Sequence, residues 1–120
     1  MRKMVPSEAL KKAYLNIEQT IRQVEKTGWE TEPLGGVNYF FKTLDITDLN
    51  IKDGDIVIIT PGNGGNDADT LTMQLIKDGL LLMLADNATI YCKSLVDPST
   101  YQNEISVFEI QITIFRQSTL

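Results

Sequence analysis

The chain contains no histidine and only one cysteine, Cys92, among its 120 residues. Without histidine, the Ser-His-Asp and Cys-His catalytic arrangements and most zinc sites cannot form. A single cysteine cannot make an intramolecular disulfide, so a reducing compartment, by default the cytoplasm, is expected. The sequence therefore favours a non-catalytic protein, with metal-dependent carboxylate chemistry as the remaining enzymatic alternative.

Long apolar runs are also missing. No segment approaches the roughly 18 apolar residues of a membrane-spanning helix, and no apolar stretch of a secretory signal follows the basic residues near the start. With 42% hydrophobic and 22% charged residues, the composition is that of a globular protein rather than a disordered one. We expect a single domain over residues 1–120 and no contact with a membrane.

Positive charge is scarce beyond the first part of the chain. Residues 1–26 carry six basic and three acidic side chains, a net charge of +3, which leaves −8 for the rest of a chain whose total is −5. This asymmetry suggests that Lys11, Lys12 and Arg22 dock on an acidic surface of a protein partner or of a second copy. A solvated helix face is the plainer explanation of the same residues. Nucleic-acid binding is disfavoured, because it usually requires a basic domain.

The apolar periodicity predicts an amphipathic helix over residues 7–26, followed by Gly28 as a terminating residue. Apolar side chains recur there at alternating intervals of four and three residues: Leu10, Tyr14, Ile17, Ile21 and Val24. The seam is only about two heptads long, which favours packing on a sheet over a coiled coil.

Strands are expected at four later places, with a loop at 29–36 in which Trp29 covers an edge of the core. The predicted strands are 37–44, 55–60, 89–93 and 104–116. The second of these is apolar on both faces, so it is predicted to be central; the last alternates strictly, as antiparallel strands do. The predicted class is α+β, with the first helix packed on a mostly antiparallel sheet of four or five strands.

Residues 67–84 satisfy two incompatible patterns. In one, Asn66 or Asp67 caps a second helix that continues past Gly79. In the other, alternating residues form a strand, and 77–79 turn into another strand at 80–84. The helix over 67–84 is favoured slightly by propensity, and the sequence leaves both alternatives open.

Glycine and asparagine are concentrated in TPGNGGNDADT, residues 60–70, directly after an apolar run. A phosphate-binding P-loop needs a lysine that is missing here, and a dinucleotide fingerprint needs glycine where Asp67 stands. A mobile turn between two elements is the simplest explanation. Backbone N–H groups before a helix can nevertheless hold a small anion, which gives a tentative ligand-binding set. Its members are Gly62, Asn63, Gly64, Gly65, Asn66, Asp67 and Asp69.

Two functional hypotheses follow from the sequence, and neither requires a cofactor or a metal. The first is a small non-catalytic interaction protein that self-assembles. Small, acidic, histidine-free chains of this kind occur among phage accessory and virion proteins, so an accessory protein of a phage or mobile element is one form of it. The second is a small-molecule binding protein that closes residues 61–69 over an anionic or nucleotide-like ligand.

Overall fold

The structure is a computed structural model that describes residues 16–62, 65–101 and 104–117. Within these residues the protein is mostly β, with two antiparallel sheets and one α-helix. Two short 3-10 turns, Thr47–Leu49 and Pro98–Thr100, connect elements. The strands and the helix are β1 Asn16–Glu25, β2 Glu30–Leu34, β3 Val37–Asp45, β4 Ile56–Pro61, α1 Asp67–Lys77, β5 Leu81–Asp86, β6 Thr89–Ser94 and β7 Val107–Arg116.

The chain alternates between the two sheets. One sheet has the order β1-β7-β4, and the other has the order β2-β3-β6-β5. The β2–β3 hairpin turns through Gly35 and Gly36, whose φ angles of 59° and 85° suit the two-residue turn that matches strand twist. The inner faces of both sheets and one side of α1 share a single hydrophobic core, in which Phe108, Ile110 and Ile112 of β7 are completely buried.

The predicted N-terminal helix over 7–26 is wrong for the residues that can be compared, and with it the α+β class built on that helix. Residues 16–25 form β1, which pairs antiparallel with β7 from Asn16↔Arg116 to Glu25↔Val107. The spacing between Ile17 and Ile21 is an even number, so both side chains also share one face of a strand. Pairing of ten residues with the buried strand β7 stabilises this segment as a strand, although its apolar periodicity also fits a helix. Residues 7–15 lie outside the described part of the chain.

The second helix is predicted correctly at its start and wrongly at its end. The Asn66 side chain accepts a hydrogen bond from the Asp69 N–H, as an N-cap should. The helix stops at Lys77 because Gly79 has a φ of 113°, while Leu80 N–H bonds to the Leu75 carbonyl and Gly79 N–H to that of Ile76. This Schellman motif turns the chain into β5, so the strand predicted at 80–84 is present as well.

The remaining strands are predicted with mixed success. β3, β6 and β7 lie where they were expected, and the alternation in β7 places its apolar residues on one face. β4, which was expected to be central, lies at the edge of the three-stranded sheet that the described residues form, and the predicted loop at 29–36 contains β2. Trp29 does pack on the core edge, with its ring 6.2 Å from that of Phe108.

Helix α1 hydrogen-bonds to β7 just beyond the point where the pairing of β4 with β7 ends. β4 pairs with β7 only as far as Pro61↔Ile110, and proline has no N–H with which to extend the ladder. Just beyond, the Thr72 hydroxyl of α1 donates to the Glu109 carbonyl and accepts from the Glu109 N–H at 3.1 Å. A buried side chain on α1 thereby satisfies the β7 backbone that β4 leaves unpaired. No helix within the described ranges is both long and apolar enough to cross a membrane.

Candidate interaction surfaces

The glycine-rich loop that stood out in the sequence is built into the start of α1. Gly62 is buried, and Gly65 has a φ of 68°, a conformation that glycine adopts without strain. Asn66 caps the helix, and its amide also donates to Glu109 Oε2 at 3.2 Å. Asp69 is 1% exposed, while Asp67 is exposed on the first turn. Asn63 and Gly64, the other two members of the predicted set in this loop, lie outside the described residues.

Negative charge at this loop opposes the anionic ligand that the sequence suggested. Asp67 and Asp69 both lie in the first turn of α1, where they complement the positive end of the helix dipole. A cleft of about 480 Å³ adjoins that turn, and its acidic residues are Asp67 and Glu104, with no basic side chain in its lining. The geometry gives the anion-binding hypothesis no support, and that hypothesis stays a prediction.

Gly62 has a structural role that can be measured. A Cβ atom at this position would overlap the Asp69 carboxylate, which is buried and cannot swing away. We expect Gly62→Ala to lower the free energy of unfolding by about 2 kcal/mol, the usual effect of overpacking a filled site. Urea unfolding would measure this loss. Because Asp69→Ala removes the obstructing group, the double variant should lose less than the two single losses added together; strict additivity would contradict the assignment.

Arg22, the one residue of the predicted basic surface that the structure describes, pairs with an acidic residue of its own chain. Its side chain lies on the inner face of β1 and pairs with Asp48 through two hydrogen bonds of 2.5 and 3.3 Å. The hydrogen bond from Arg22 lowers the pKa of the Asp48 carboxyl below its ordinary value. Arg22 is therefore engaged within its own chain. Lys11 and Lys12 precede the first residue that the structure describes.

The only cysteine of the chain, Cys92, is a buried thiol. Cys92 lies on the inner face of β6 and is fully buried, and burial raises the pKa of its thiol to about 12. The thiolate, which is the nucleophilic form, is therefore not populated near neutral pH. Within residues 16–62, 65–101 and 104–117, no three acidic or cysteine side chains converge as metal ligands.

The outer face of the β1-β7-β4 sheet carries a patch of exposed isoleucines. Ile17, Ile21, Ile56 and Ile58 are 59, 47, 47 and 45% exposed. The register aligns Ile17 and Ile56 on either side of Phe115, so one apolar row crosses all three strands. We call the outward side chains of these strands the isoleucine face.

Charge is absent from most of the isoleucine face. Its next two rows contain only polar, uncharged partners for the isoleucines: Gln19, Thr113, Ile58, and then Ile21, Gln111, Thr60. Nine neighbouring positions in three rows therefore carry no charged side chain. Glu109 follows in the next row, where Gln23 donates to its carboxylate at 3.4 Å. Depletion of charge at the centre of an apolar patch is typical of protein interfaces.

The outer face of the four-stranded sheet carries aromatic side chains. Phe41 stacks on Tyr91 with ring centroids 5.8 Å apart, and Tyr39 lies 6.4 Å from Phe41. The Lys93 ammonium lies over the Tyr39 ring, 4.1 Å from its centroid, in a cation–π contact. Tyr39 also donates to Glu32 Oε2 at 2.6 Å, and this bond raises the pKa of its phenol above the ordinary value.

Sequence reasoning missed both outer faces. In the strand predicted at 37–44, Tyr39 and Phe41 point outward and only Phe40 shares the face of buried Cys92. Ile17 and Ile21 belong to the seam of the predicted helix. The signal that could have found the isoleucine face is shared parity: Ile17 and Ile21 on one strand, and Ile56 and Ile58 on another, are separated by even numbers of residues.

Comparison with protein-family models, with curated proteins and with solved structures finds no match to this chain. The class of protein is therefore defined by its own fold and surfaces. It is a mostly-β protein of two antiparallel sheets, whose outer faces both expose apolar side chains.

Proposed function

We propose that this protein is a non-catalytic interaction protein that self-assembles through the isoleucine face. The observation that carries the proposal is the uncharged patch of half-exposed isoleucines on the three-stranded sheet. Its compartment in this proposal is the cytoplasm, because the single cysteine is buried and the fold needs no disulfide.

A second copy of the chain is the partner that best fits this face. A twofold axis would place the same rows of side chains against each other, so both partners are apolar and neither contributes a charge that must be desolvated. Two sheets pack face to face about 10 Å apart, with their strands inclined by about 30°. The isoleucines of each copy would then interdigitate as side chains do in a β-sandwich.

The size of the face sets the expected strength of the association. A ten-residue strand is about 33 Å long, and three strands are about 14 Å wide, which limits the face to roughly 450 Å² per copy. Specific interfaces usually bury about 1,200 Å² or more in total, counting both partners. The isoleucine face lies near or below that limit, so we expect a reversible dimer whose population depends on protein concentration.

The proposal is tested by placing a charge in the middle row of the isoleucine face. Ile58→Lys should weaken dimerisation at least a hundredfold, because the twofold interface would bury two added ammonium groups. Analytical ultracentrifugation over a range of concentrations measures this change. Ile76→Lys is the matched control, since Ile76 is 39% exposed on α1, away from the face, and its dimerisation should equal that of the wild type.

Two results would overturn the proposal. One is a wild-type protein that stays monomeric at every concentration. The other is an equal loss of dimer in the two lysine variants, which would place the interface elsewhere. If the wild type is monomeric and Ile58→Lys also unfolds more easily than Ile76→Lys, the face is covered by residues of the same chain rather than by a second copy.

A further inference from the structure

A depression at one end of the four-stranded sheet is separate from the isoleucine face. It has a volume of about 340 Å³ and crosses all four strands, from the tip of the β2–β3 hairpin to the turn between α1 and β5. Its side chains come from the residues Leu34, Val37, Tyr39, Leu81, Lys93 and Leu95. Four of these are aliphatic and each is more than half exposed, so the lining is apolar and open to a ligand.

One positive charge lies in this apolar depression. Lys93 is its only basic lining residue, and its ammonium rests on the Tyr39 ring. In the part of the chain that the structure describes, no hydrogen bond or ion pair engages the Lys93 ammonium. Glu32, an acidic group on the same face, accepts a hydrogen bond from the Tyr39 hydroxyl instead. The cation is therefore available to a ligand.

We propose that this depression binds a monoanionic amphiphile, a molecule with one carboxylate and an unbranched alkyl chain, such as a medium-chain fatty acid. The carboxylate would pair with Lys93 and the alkyl chain would cover the aliphatic lining. Both contacts follow from the composition of the depression. An apolar lining with a few fixed polar groups is the usual combination in small-molecule sites. Four strands are about 19 Å wide, which accommodates a medium-length chain.

The charge distribution distinguishes this ligand from a polyanion. Aromatic side chains on an open sheet face can stack on nucleic-acid bases when positive charge accompanies them. Here β2 carries Glu30 and Glu32 on the same outer face, opposite Phe41 and Tyr39. Two carboxylates beside one lysine repel a phosphate backbone, whereas a single carboxylate needs only Lys93.

Calorimetric titration with decanoate, below the concentration at which it forms micelles, tests the proposal. We expect saturable binding at one site per chain, at least tenfold tighter than that of the neutral alcohol decanol. Lys93→Gln should weaken decanoate binding at least tenfold and leave decanol binding unchanged. Lys52→Gln is the matched control, because Lys52 is exposed in a loop and does not line the depression, and it should bind as the wild type does.

A second pair of variants tests the apolar part of the site. Val37→Asp places a carboxylate in the lining and should abolish binding, whereas Ile58→Lys should leave it intact because the isoleucine face is a different surface. Circular dichroism would confirm that each variant is folded. The proposal is overturned by an absence of saturable decanoate binding, by equal affinity of Lys93→Gln and the wild type, or by loss of binding in Ile58→Lys. None of these outcomes depends on whether the protein dimerises.

Discussion

Replacement of Arg116 by methionine is expected to lower the free energy of unfolding by about 3 kcal/mol, as measured by urea denaturation at neutral pH. Arg116 ends β7, and its guanidinium joins three parts of the chain. It donates to the carbonyl oxygens of Leu49 and Asn50, to Asp55 Oδ2 at 3.3 Å and to Glu18 Oε2 at 2.8 Å. Methionine preserves the apolar stem, so the loss would report on the guanidinium alone.

The loss is large because Asp55 is buried. Its side chain is only 5% exposed, and without Arg116 its carboxylate would keep the backbone N–H bonds from Lys52 and Gln117 but no opposite charge. Arg22→Met is the matched control. Arg22 pairs with Asp48, whose side chain is 63% exposed, and solvent-exposed pairs usually contribute about 1 kcal/mol or less. Equal losses of stability in the two variants would show that the burial of Asp55 does not increase the effect of removing its partner.

Acid provides a second check on the same pair. Burial opposes the ionisation of Asp55, but the backbone hydrogen bonds and the charge of Arg116 outweigh it and lower the pKa of this carboxyl below its ordinary value of 3.8. A carboxyl with a lowered pKa stabilises the fold above its unfolded-state pKa and loses that contribution as the pH falls through the folded-state value. The difference between the wild type and Arg116→Met should therefore shrink in acid below pH 4.

The elements predicted correctly are those whose local sequence pattern agrees with their tertiary contacts. β7 combines strict alternation with β-branched residues, and the Asn66 side chain accepts a hydrogen bond from the N–H of Asp69, the third residue of the helix. In both places propensity, pattern and tertiary contacts favour the same structure. The Gly35-Gly36 pair is also a usable hairpin signal, since it joins Leu34 and Val37 in a two-residue turn, although residues 29–36 are predicted above as a loop.

The first strand could not be predicted because its decisive partner is distant in sequence. β1 pairs with residues about ninety positions later, and nothing in residues 16–25 alone indicates that ladder. An interval of four between Ile17 and Ile21 fits a helix and a strand equally well. The predicted fold class depends on whether residues 16–25 form a helix or a strand, so this one local ambiguity makes the predicted architecture wrong.

The candidate surfaces were missed for a related reason. Whether Ile58 or Val57 faces the core depends on which side of β4 receives the other sheet and the helix, and both sides are apolar in sequence. The glycine-rich loop has the most unusual composition in the chain. Its described residues instead cap and position α1, while the exposed apolar groups lie on regular strands of ordinary composition.

Truncation of Leu75 to alanine is expected to destabilise the protein by about 3 kcal/mol, within the range measured for leucine-to-alanine changes in filled cores. Leu75 is fully buried in the shared core, and its carbonyl also accepts the Leu80 N–H that closes α1. Ile76→Ala, one residue later and 39% exposed, should change stability by less than about 0.5 kcal/mol, since alanine is the better helix former. Urea unfolding of both variants measures the difference.

Gly79→Ala tests where α1 ends, because a helix that continued past Gly79 would leave Leu75 and Ile76 on the faces they occupy now. We expect Gly79→Ala to destabilise the protein, because φ is 113° there and an added Cβ would crowd Leu95. A stabilising Gly79→Ala, together with equal effects at Leu75 and Ile76, would contradict both the end of α1 and its buried side.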